Sequence, residues 1–179
     1  MPRRTPPATR PRLAAPVSLA VVAAALGVFA IVAGHNAAGL RGSTAARNTA
    51  LTDTARTSEA NGQITTAVAG LFSYDYAHPE KNRQATRTFL SGNAVAQYRK
   101  LFAPVLEQAG KQRLVLATTV TESGVSTIQG DRAHLLVFAN ERNTAVKTGQ
   151  TVFAGAMLAV DATYRGGKWR VTGLDSFTE

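Results

Sequence analysis

The longest apolar stretch of the chain lies near its N-terminus and limits what the first forty residues can form. Between Arg12 and Arg41 no residue carries a formal charge when His35 is counted as neutral. The apolar centre, residues 17–34, has 18 residues. As a helix it would be about 27 Å long at about 1.5 Å per residue, close to the roughly 30 Å of a bilayer's hydrocarbon core. The stretch therefore predicts one membrane-spanning helix over residues 13–36.

Two other interpretations of this stretch are less favoured. A buried core helix of this length would carry a polar face, whereas only Ser18 interrupts the apolar run. A cleaved signal peptide fits the Arg-rich start and the small residues of AGHNAAG, but its apolar region usually spans about 7–15 residues. The greater length here favours an uncleaved anchor.

The charges on either side of the predicted helix predict its orientation. Four arginines and no acid precede it, namely Arg3, Arg4, Arg10 and Arg12. Only Arg41 and Arg47 follow it before the first acid, Asp53. Because the side richer in Lys and Arg stays in the cytoplasm, the N-terminus is predicted to be cytoplasmic and the rest of the chain extracytoplasmic, at the cell membrane. Residues 1–12, rich in Pro and Arg, are predicted to be a disordered cytoplasmic tail.

The remaining charges argue against a nucleic-acid partner. The chain has 20 Lys and Arg against 11 Asp and Glu. Without the four tail arginines, 16 basic residues exceed the acids by five. They are scattered, without a basic stripe or interleaved aromatics, so no nucleic-acid surface is predicted. The chain has no Cys, so disulfides and thiolate chemistry are excluded and the hydrophobic core must hold the fold.

Helical periodicity follows the anchor. Residues 37–60 are polar and rich in Ala and Thr, which predicts a juxtamembrane spacer or helix, and residues 61–179 are predicted to form the folded extracytoplasmic domain. Ile64, Val68, Leu71 and Phe72 lie on one helical face. A break is predicted before Pro79, because the residue before a proline avoids helical angles.

A second helical pattern is predicted to stop at Gly110 and to kink or break at Pro104. Its apolar positions recur every three or four residues: Val95, Tyr98, Leu101, Phe102, Val105, Leu106 and Ala109.

Strand patterns fill the last third of the chain. Residues 114–120 are rich in β-branched residues and Leu, HLLVFA follows the Gly130–Asp131 turn signal, and 150–164 is a long apolar run. RGGK predicts a hairpin turn into KWRVTGL, where Trp169 alternates with polar neighbours and is predicted to be buried. The order predicts an α+β fold in which helices pack on a curved, antiparallel sheet of about four strands.

The residues offer little chemistry. The sequence has no metal-ligand spacing, nucleophile elbow or phosphate-binding glycine loop, so no metal, cofactor or catalytic residue is predicted. One cluster of polar residues, YDYAHPEK at positions 74–81, could be a site in which Asp75 or His78 acts as general base beside a tyrosine. The alternative is a helix terminus with Tyr74 and Tyr76 half-buried and the acids and His78 in solvent, which we favour because no second group converges there.

The order of these features resembles one family. The anchor precedes LFSYDYAHPEK, FLSGNAVAQYRKLFAPVLEQA, VTESGVSTIQGDRAHLLVFANERNT and YRGGKWRVTGLDSF. Together they resemble the Mce-associated membrane proteins of actinobacteria, single-pass proteins linked with Mce-type lipid-import systems. The resemblance implies a cone-shaped domain like that of nuclear transport factors, close to a periplasmic component of type IV secretion. It also implies an accessory role without enzymatic residues.

Three functional hypotheses follow. The first is a non-enzymatic accessory subunit that docks on an Mce transporter or other envelope proteins and is held beside them by its anchor. The second is a lipid- or sterol-binding module whose hollow would be lined by Phe138, Phe153, Met157 and Leu158. The third is an isomerase-like enzyme of the same fold. A closed apolar interior favours the first, an open apolar one the second, and an open one with convergent acids the third.

The flanking charges make the topology testable. A reporter that is active only outside the cytoplasm, fused after Glu179, should be active. Neutral replacement of Arg3, Arg4, Arg10 and Arg12 together should produce mixed orientations, because the positive excess before the helix is lost. Activity of a cytoplasm-specific reporter at the same position in the wild-type chain would reverse the predicted orientation.

Overall fold

The computed structural model describes residues 47–177. The predicted tail, the predicted spanning helix and the first part of the predicted spacer lie outside the described residues. Within 47–177, no helix has both the length and the apolar character needed to cross a membrane.

Three helices and five strands make up this part of the chain. The helices are α1 (Thr54–Leu71), α2 (Pro79–Phe89) and α3 (Ala94–Gln112). The strands are β1 (Tyr74–Asp75), β2 (Leu114–Gln129), β3 (Arg132–Ala145), β4 (Gln150–Arg165) and β5 (Lys168–Ser176). The predicted α+β layout is confirmed.

The strands form one antiparallel sheet in the order β1-β2-β3-β4-β5. The four long strands are the predicted meander. The expected number of about four strands is corrected to five. Tyr74 and Asp75 pair with Leu116 and Val115 along the edge of β2 that faces away from β3. A strand of two residues leaves no alternating pattern from which it could be predicted.

The predicted helix boundaries hold in part. Helix α2 starts at Pro79, as the break before a proline predicts. Helix α3 is unbroken at Pro104 and ends at Gln112, beyond the predicted stop at Gly110. Its last turn closes at Arg113, which has a positive φ of 54° and donates its N–H to Ala109 C=O. A glycine inside a helix costs only about 1 kcal/mol relative to Ala, so Gly110 did not end it.

The core lies between the helices and one face of the sheet, here called the inner face. Helix α1 buries Ala60, Ile64, Ala67, Val68 and Leu71. The inner face of the sheet contributes Leu135, Val137, Val160 and Val171, which are fully buried. Within α1 the helical face predicted from Ile64, Val68 and Leu71 is therefore confirmed.

Helix α3 covers less of the core than its periodicity predicts. Tyr98, Phe102 and Ala109 are buried, but Val95 is 40% exposed and Leu106 is 46% exposed. These two residues instead line a surface groove beside Leu90. The helix contacts β5 and β2 along a stripe narrower than its apolar face.

One polar network joins the helices inside the core. The amide nitrogen of Asn82 donates to the carbonyl oxygens of Leu71 at 2.8 Å and Ser73 at 3.0 Å. The Tyr98 hydroxyl donates to the same Leu71 oxygen at 2.7 Å. Asn82 and Tyr98 also hydrogen-bond to each other. The last residue of α1 is thereby tied to both α2 and α3.

Trp169 is buried, as its alternation in the last strand predicts, with 2% of its surface exposed. Its backbone N–H donates to Gln63 Oε1 at 2.7 Å, which links β5 to α1. The Arg56 guanidinium lies 5.5 Å from the Trp169 ring and 4.9 Å from the Tyr164 ring, and it also pairs with Asp131 at 2.7 Å. Trp169 thus anchors the end of the sheet to the first helix.

We expect Trp169→Ala to lower the free energy of unfolding by about 3–5 kcal/mol, the range for truncating a large buried aromatic. Leu51→Ala is the control, because Leu51 is 91% exposed and its truncation should change stability by less than about 1 kcal/mol. Denaturant titration measures both. Equal, small effects would contradict the assignment of Trp169 as a core anchor.

Candidate functional site

Asp75 and His78 meet at the corner between β1 and α2. Asp75 Oδ2 lies 3.0 Å from His78 Nδ1, and Asp75 Oδ1 accepts the Ala77 N–H at 2.9 Å. The hydrogen bond to the His78 side chain, followed by that from Ala77, holds the pKa of Asp75 below its usual value. A carboxylate with a lowered pKa is a weaker general base.

The other polar residues of this corner have different surroundings. Tyr74 packs its ring 6.3 Å from that of Phe102, and the Tyr76 N–H donates to Leu114 C=O. Glu80 is exposed in the first turn of α2. Residues 74–80 therefore form a hydrogen-bonded turn that leads into a helix. This is the interpretation that the sequence favoured.

The interior between helices and sheet is filled with side chains. Phe102, Ile64, Leu71, Leu135 and Val160 are among the largest fully buried residues there. These buried residues are apolar, which is the character that the first two hypotheses expect of the interior.

The four residues expected to line a hollow do not lie together. Strand alternation puts Leu158 on the inner face, buried in the core, and Phe138, Met157 and Phe153 on the opposite, outer face. Phe138 is 40% exposed and Phe153 is 73% exposed. The expectation of one hollow lined by all four is wrong, because it ignored which face of its strand each residue occupies.

The carboxyl group of Glu141 lies on the inner face of β3. Glu141 stands between Thr118 of β2 and Ala154 of β4, and burial raises the pKa of its carboxyl above the usual value. Its position is not predictable from the sequence pattern, because a lone acid in a strand carries no signal of the face that it occupies.

A basic cleft of about 610 Å³ lies beside the β4–β5 hairpin. Arg165, Lys168 and Arg170 line it together with hydroxyl and glycine positions such as Ser91 and Gly92. All three cations are exposed to solvent. Such a surface attracts acidic groups weakly and in a salt-dependent way.

The histidines form no metal centre in the part of the chain that the structure describes, where no group of three or more His, Cys, Asp or Glu side chains converges. His134 is exposed on the outer face of the central strand β3, with Nδ1 2.7 Å from Asp161 Oδ1 on β4. This exposed cross-strand pair contributes little to stability.

The fold is similar to several solved structures. An IcmL-like type IV secretion system protein from Legionella pneumophila has a TM-score of 0.58 and 15% identity, covering 68% of this chain and 91% of that one. A periplasmic fragment of TraM has a TM-score of 0.56 and 14% identity, and the match covers 64% of this chain and 92% of that one. CagV, a VirB8 homolog of a type IV secretion system from Helicobacter pylori, has a TM-score of 0.56 and 9% identity. The match covers 66% of this chain and 96% of that one. The chain matches no protein-family model and no curated protein.

At these identities the likeness concerns the fold. The described residues form a curled α+β domain similar to VirB8-type periplasmic domains, so the cone-like fold implied by the sequence resemblance is supported. Membership of the Mce-associated family stays a prediction.

Glu141 allows a test of the inner face. Because its pKa is raised in the folded state, its contribution to stability is full below the ordinary carboxyl pKa and is lost as the pH rises through the folded value. Glu141→Gln removes the buried charge and should raise the unfolding midpoint at pH 7, with the difference from wild type shrinking towards pH 4. Thermal unfolding at both pH values measures this. A pH-independent difference would place Glu141 in solvent.

Proposed function

We propose that this protein is a membrane-anchored, non-enzymatic accessory subunit whose extracytoplasmic domain supports the assembly or stability of a multi-protein envelope system. An Mce-type lipid transport system is the first candidate for that system, on the order of sequence motifs. The observation that carries the proposal is a domain of secretion-component fold whose interior is filled by its own core.

The fold supports the envelope setting. Two of the similar structures are described as type IV secretion system proteins and one as a periplasmic fragment. A domain of that kind held beside the membrane by an N-terminal helix suits a protein that meets its partners in the same bilayer. Tethering raises the effective concentration of such partners without any added contact.

The candidate site supports a role without catalysis. Function belongs to sites rather than to folds. At the Asp75–His78 corner the polar groups hydrogen-bond to each other and to the turn backbone, and they are exposed at the surface. The filled interior also favours docking through the outside of the domain over enclosure of a lipid.

Complementation of a deletion strain tests the proposal with three forms of the chain. These are the wild type, the double variant Asp75→Asn with His78→Gln, and a form in which residues 17–34 are replaced by a cleavable signal. We expect the double variant to complement nearly fully, because neither side chain moves a proton. The released form should fail, since its domain is no longer concentrated beside its membrane partner.

An enzyme predicts the reverse order. A folded, released enzyme keeps its turnover, while the double variant loses an acid–base contribution of about 100- to 10,000-fold. Immunoblots of each form control for its amount, and protease resistance controls for its folding. Rescue by the released form together with failure of a folded double variant would overturn the accessory role.

A further inference from the structure

Four cations lie together on the outer face of the sheet, at the end where the β4–β5 hairpin turns. Strand register pairs Arg132 of β3 with Thr163 of β4, and Thr163 with Arg170 of β5. The next pair towards the hairpin turn is Arg165 with Lys168. Residues that are directly opposite each other, or two apart on one strand, share a face of the sheet. The four cations, all exposed, form what we call the cationic end.

The charges of the cationic end are not balanced inside the domain. Like charges directly opposite each other destabilise a sheet, and Arg165 and Lys168 are such a pair. Within residues 47–177, no carboxylate forms an ion pair with any of the four cations. The neighbouring acids Asp131 and Asp161 are each bound to another side chain at 2.7 Å. An anion from outside the domain would therefore relieve this repulsion.

The cleft of about 610 Å³ lies between the cationic end and the loop from α2 to α3. The Ser91 N–H donates to Val171 C=O at 2.9 Å, which fixes this loop against the edge of β5. Hydroxyl groups of Ser91, Thr163 and Thr172 line the cleft beside three of the cations. Its volume falls within the range of about 300–1,000 Å³ that is usual for small-molecule sites. Guanidinium, ammonium and hydroxyl groups are the donors that bind phosphate oxygens, so the cleft suits a phosphate group.

The chain enters the domain at the same end of the sheet. Asn48 Oδ1 accepts the Ile128 N–H, and the Thr49 N–H donates to Ile128 C=O, both at 2.9 Å. Ile128 pairs with Ala133, the residue after Arg132. The first described residues are therefore attached one cross-strand row away from the cationic end.

The connection to the predicted spanning helix is short. Residues 37–46 separate that helix from Arg47, the first described residue. Ten residues reach at most about 33–36 Å when fully extended. Because they join the domain at the end that carries the cations, the predicted anchor limits how far the cationic end can lie from the bilayer. Anionic lipid headgroups attract clustered Lys and Arg side chains.

We propose that the cationic end docks on the anionic phospholipid headgroups of the membrane that holds the anchor, with a lipid phosphate in the cleft. The phosphate charge then offsets the repulsion between Arg165 and Lys168. A lipid surface fits this end better than an acidic protein does, since the tether supplies headgroups at high effective concentration without a further partner. The docking requires the anchor and the cationic end only, so it stands or falls separately from the proposed accessory role.

Thiol labelling of the full chain tests the docking, because the chain has no cysteine of its own. The chain is placed in lipid nanodiscs of phosphatidylcholine, either alone or mixed with anionic phosphatidylglycerol. Thr163→Cys puts a thiol in the cleft. Thr151→Cys is the matched control, on the same face and the same strand but at its other end. The measurement is the rate of labelling by an uncharged, polar maleimide, compared between the two kinds of disc.

We expect labelling of Thr163→Cys to be slower by about fivefold or more in the discs that contain phosphatidylglycerol, since a single cation near an anionic surface contributes about that factor. Labelling of Thr151→Cys should be equally fast in both discs. At a salt concentration of about 1 M the Debye length falls to about 3 Å, so the protection of Thr163→Cys should disappear.

Charge variants made in the Thr163→Cys chain test which cations bind the lipid. Arg165→Gln with Lys168→Gln should lower the docking equilibrium by about thirtyfold, about fivefold for each lost charge, and should abolish the lipid-dependent protection. Arg142→Gln with Lys147→Gln is the matched control. It also removes one exposed Arg and one exposed Lys, but at the opposite end of the sheet, and it should leave the protection unchanged. Protease resistance controls for folding.

Three results would overturn the docking. They are equal labelling of Thr163→Cys in the two discs, equal protection of Thr151→Cys, and protection that survives the loss of Arg165 and Lys168. Inorganic phosphate added to the phosphatidylcholine discs separates a lipid from a free anion. If it protects Thr163→Cys as well as the anionic lipid does, the cleft binds soluble phosphate and the proposed lipid contact is wrong.

Discussion

The hydrogen bonds of Asn82 and Tyr98 with the end of α1 hold the helical layer together. The last carbonyls of a helix have no partner inside the helix, and burying them unpaired would cost free energy. Here Leu71 C=O accepts from both side chains, and Ser73 C=O accepts from Asn82. Burial raises the pKa of the Tyr98 hydroxyl, which therefore stays a neutral donor. Removing either side chain would leave buried polar groups unpaired.

This junction also sets where the sheet begins. Directly after Leu71, Phe72 packs against Tyr98 and Phe102 with ring centroids 5.6 and 6.1 Å away. Phe72 C=O accepts the Thr118 hydroxyl at 2.6 Å, and the Ser73 hydroxyl accepts the Thr118 N–H at 3.1 Å. The chain is thus aligned with β2 before β1 starts, and the position of β1 follows from the helix end.

Sequence periodicity predicted the layers of this fold better than its polar details. The face of α1, the start of α2 at Pro79, the meander and the burial of Trp169 all follow from local pattern and turn chemistry. Asn82 gave no signal, because a lone amide in the polar helix α2 looks solvated until its tertiary partners are known. The expected burial of Val95 and Leu106 and the expected place of Phe138 in a hollow were wrong for the opposite reason. An apolar side chain in a periodic pattern need not find a partner within its own domain.

The unequal lengths of the last two strands connect the fold to its surfaces. Strand β4 has 16 residues and β5 has nine, so β5 protects only the half of β4 that lies over the core. The helices contact β2 and β5 most, and residues 150–155 of β4 are exposed to solvent. Within residues 47–177, positions 150–156 of β4 pair with β3 alone, and Phe153 among them presents exposed aromatic surface. Those are the features by which sheets recognise other strands.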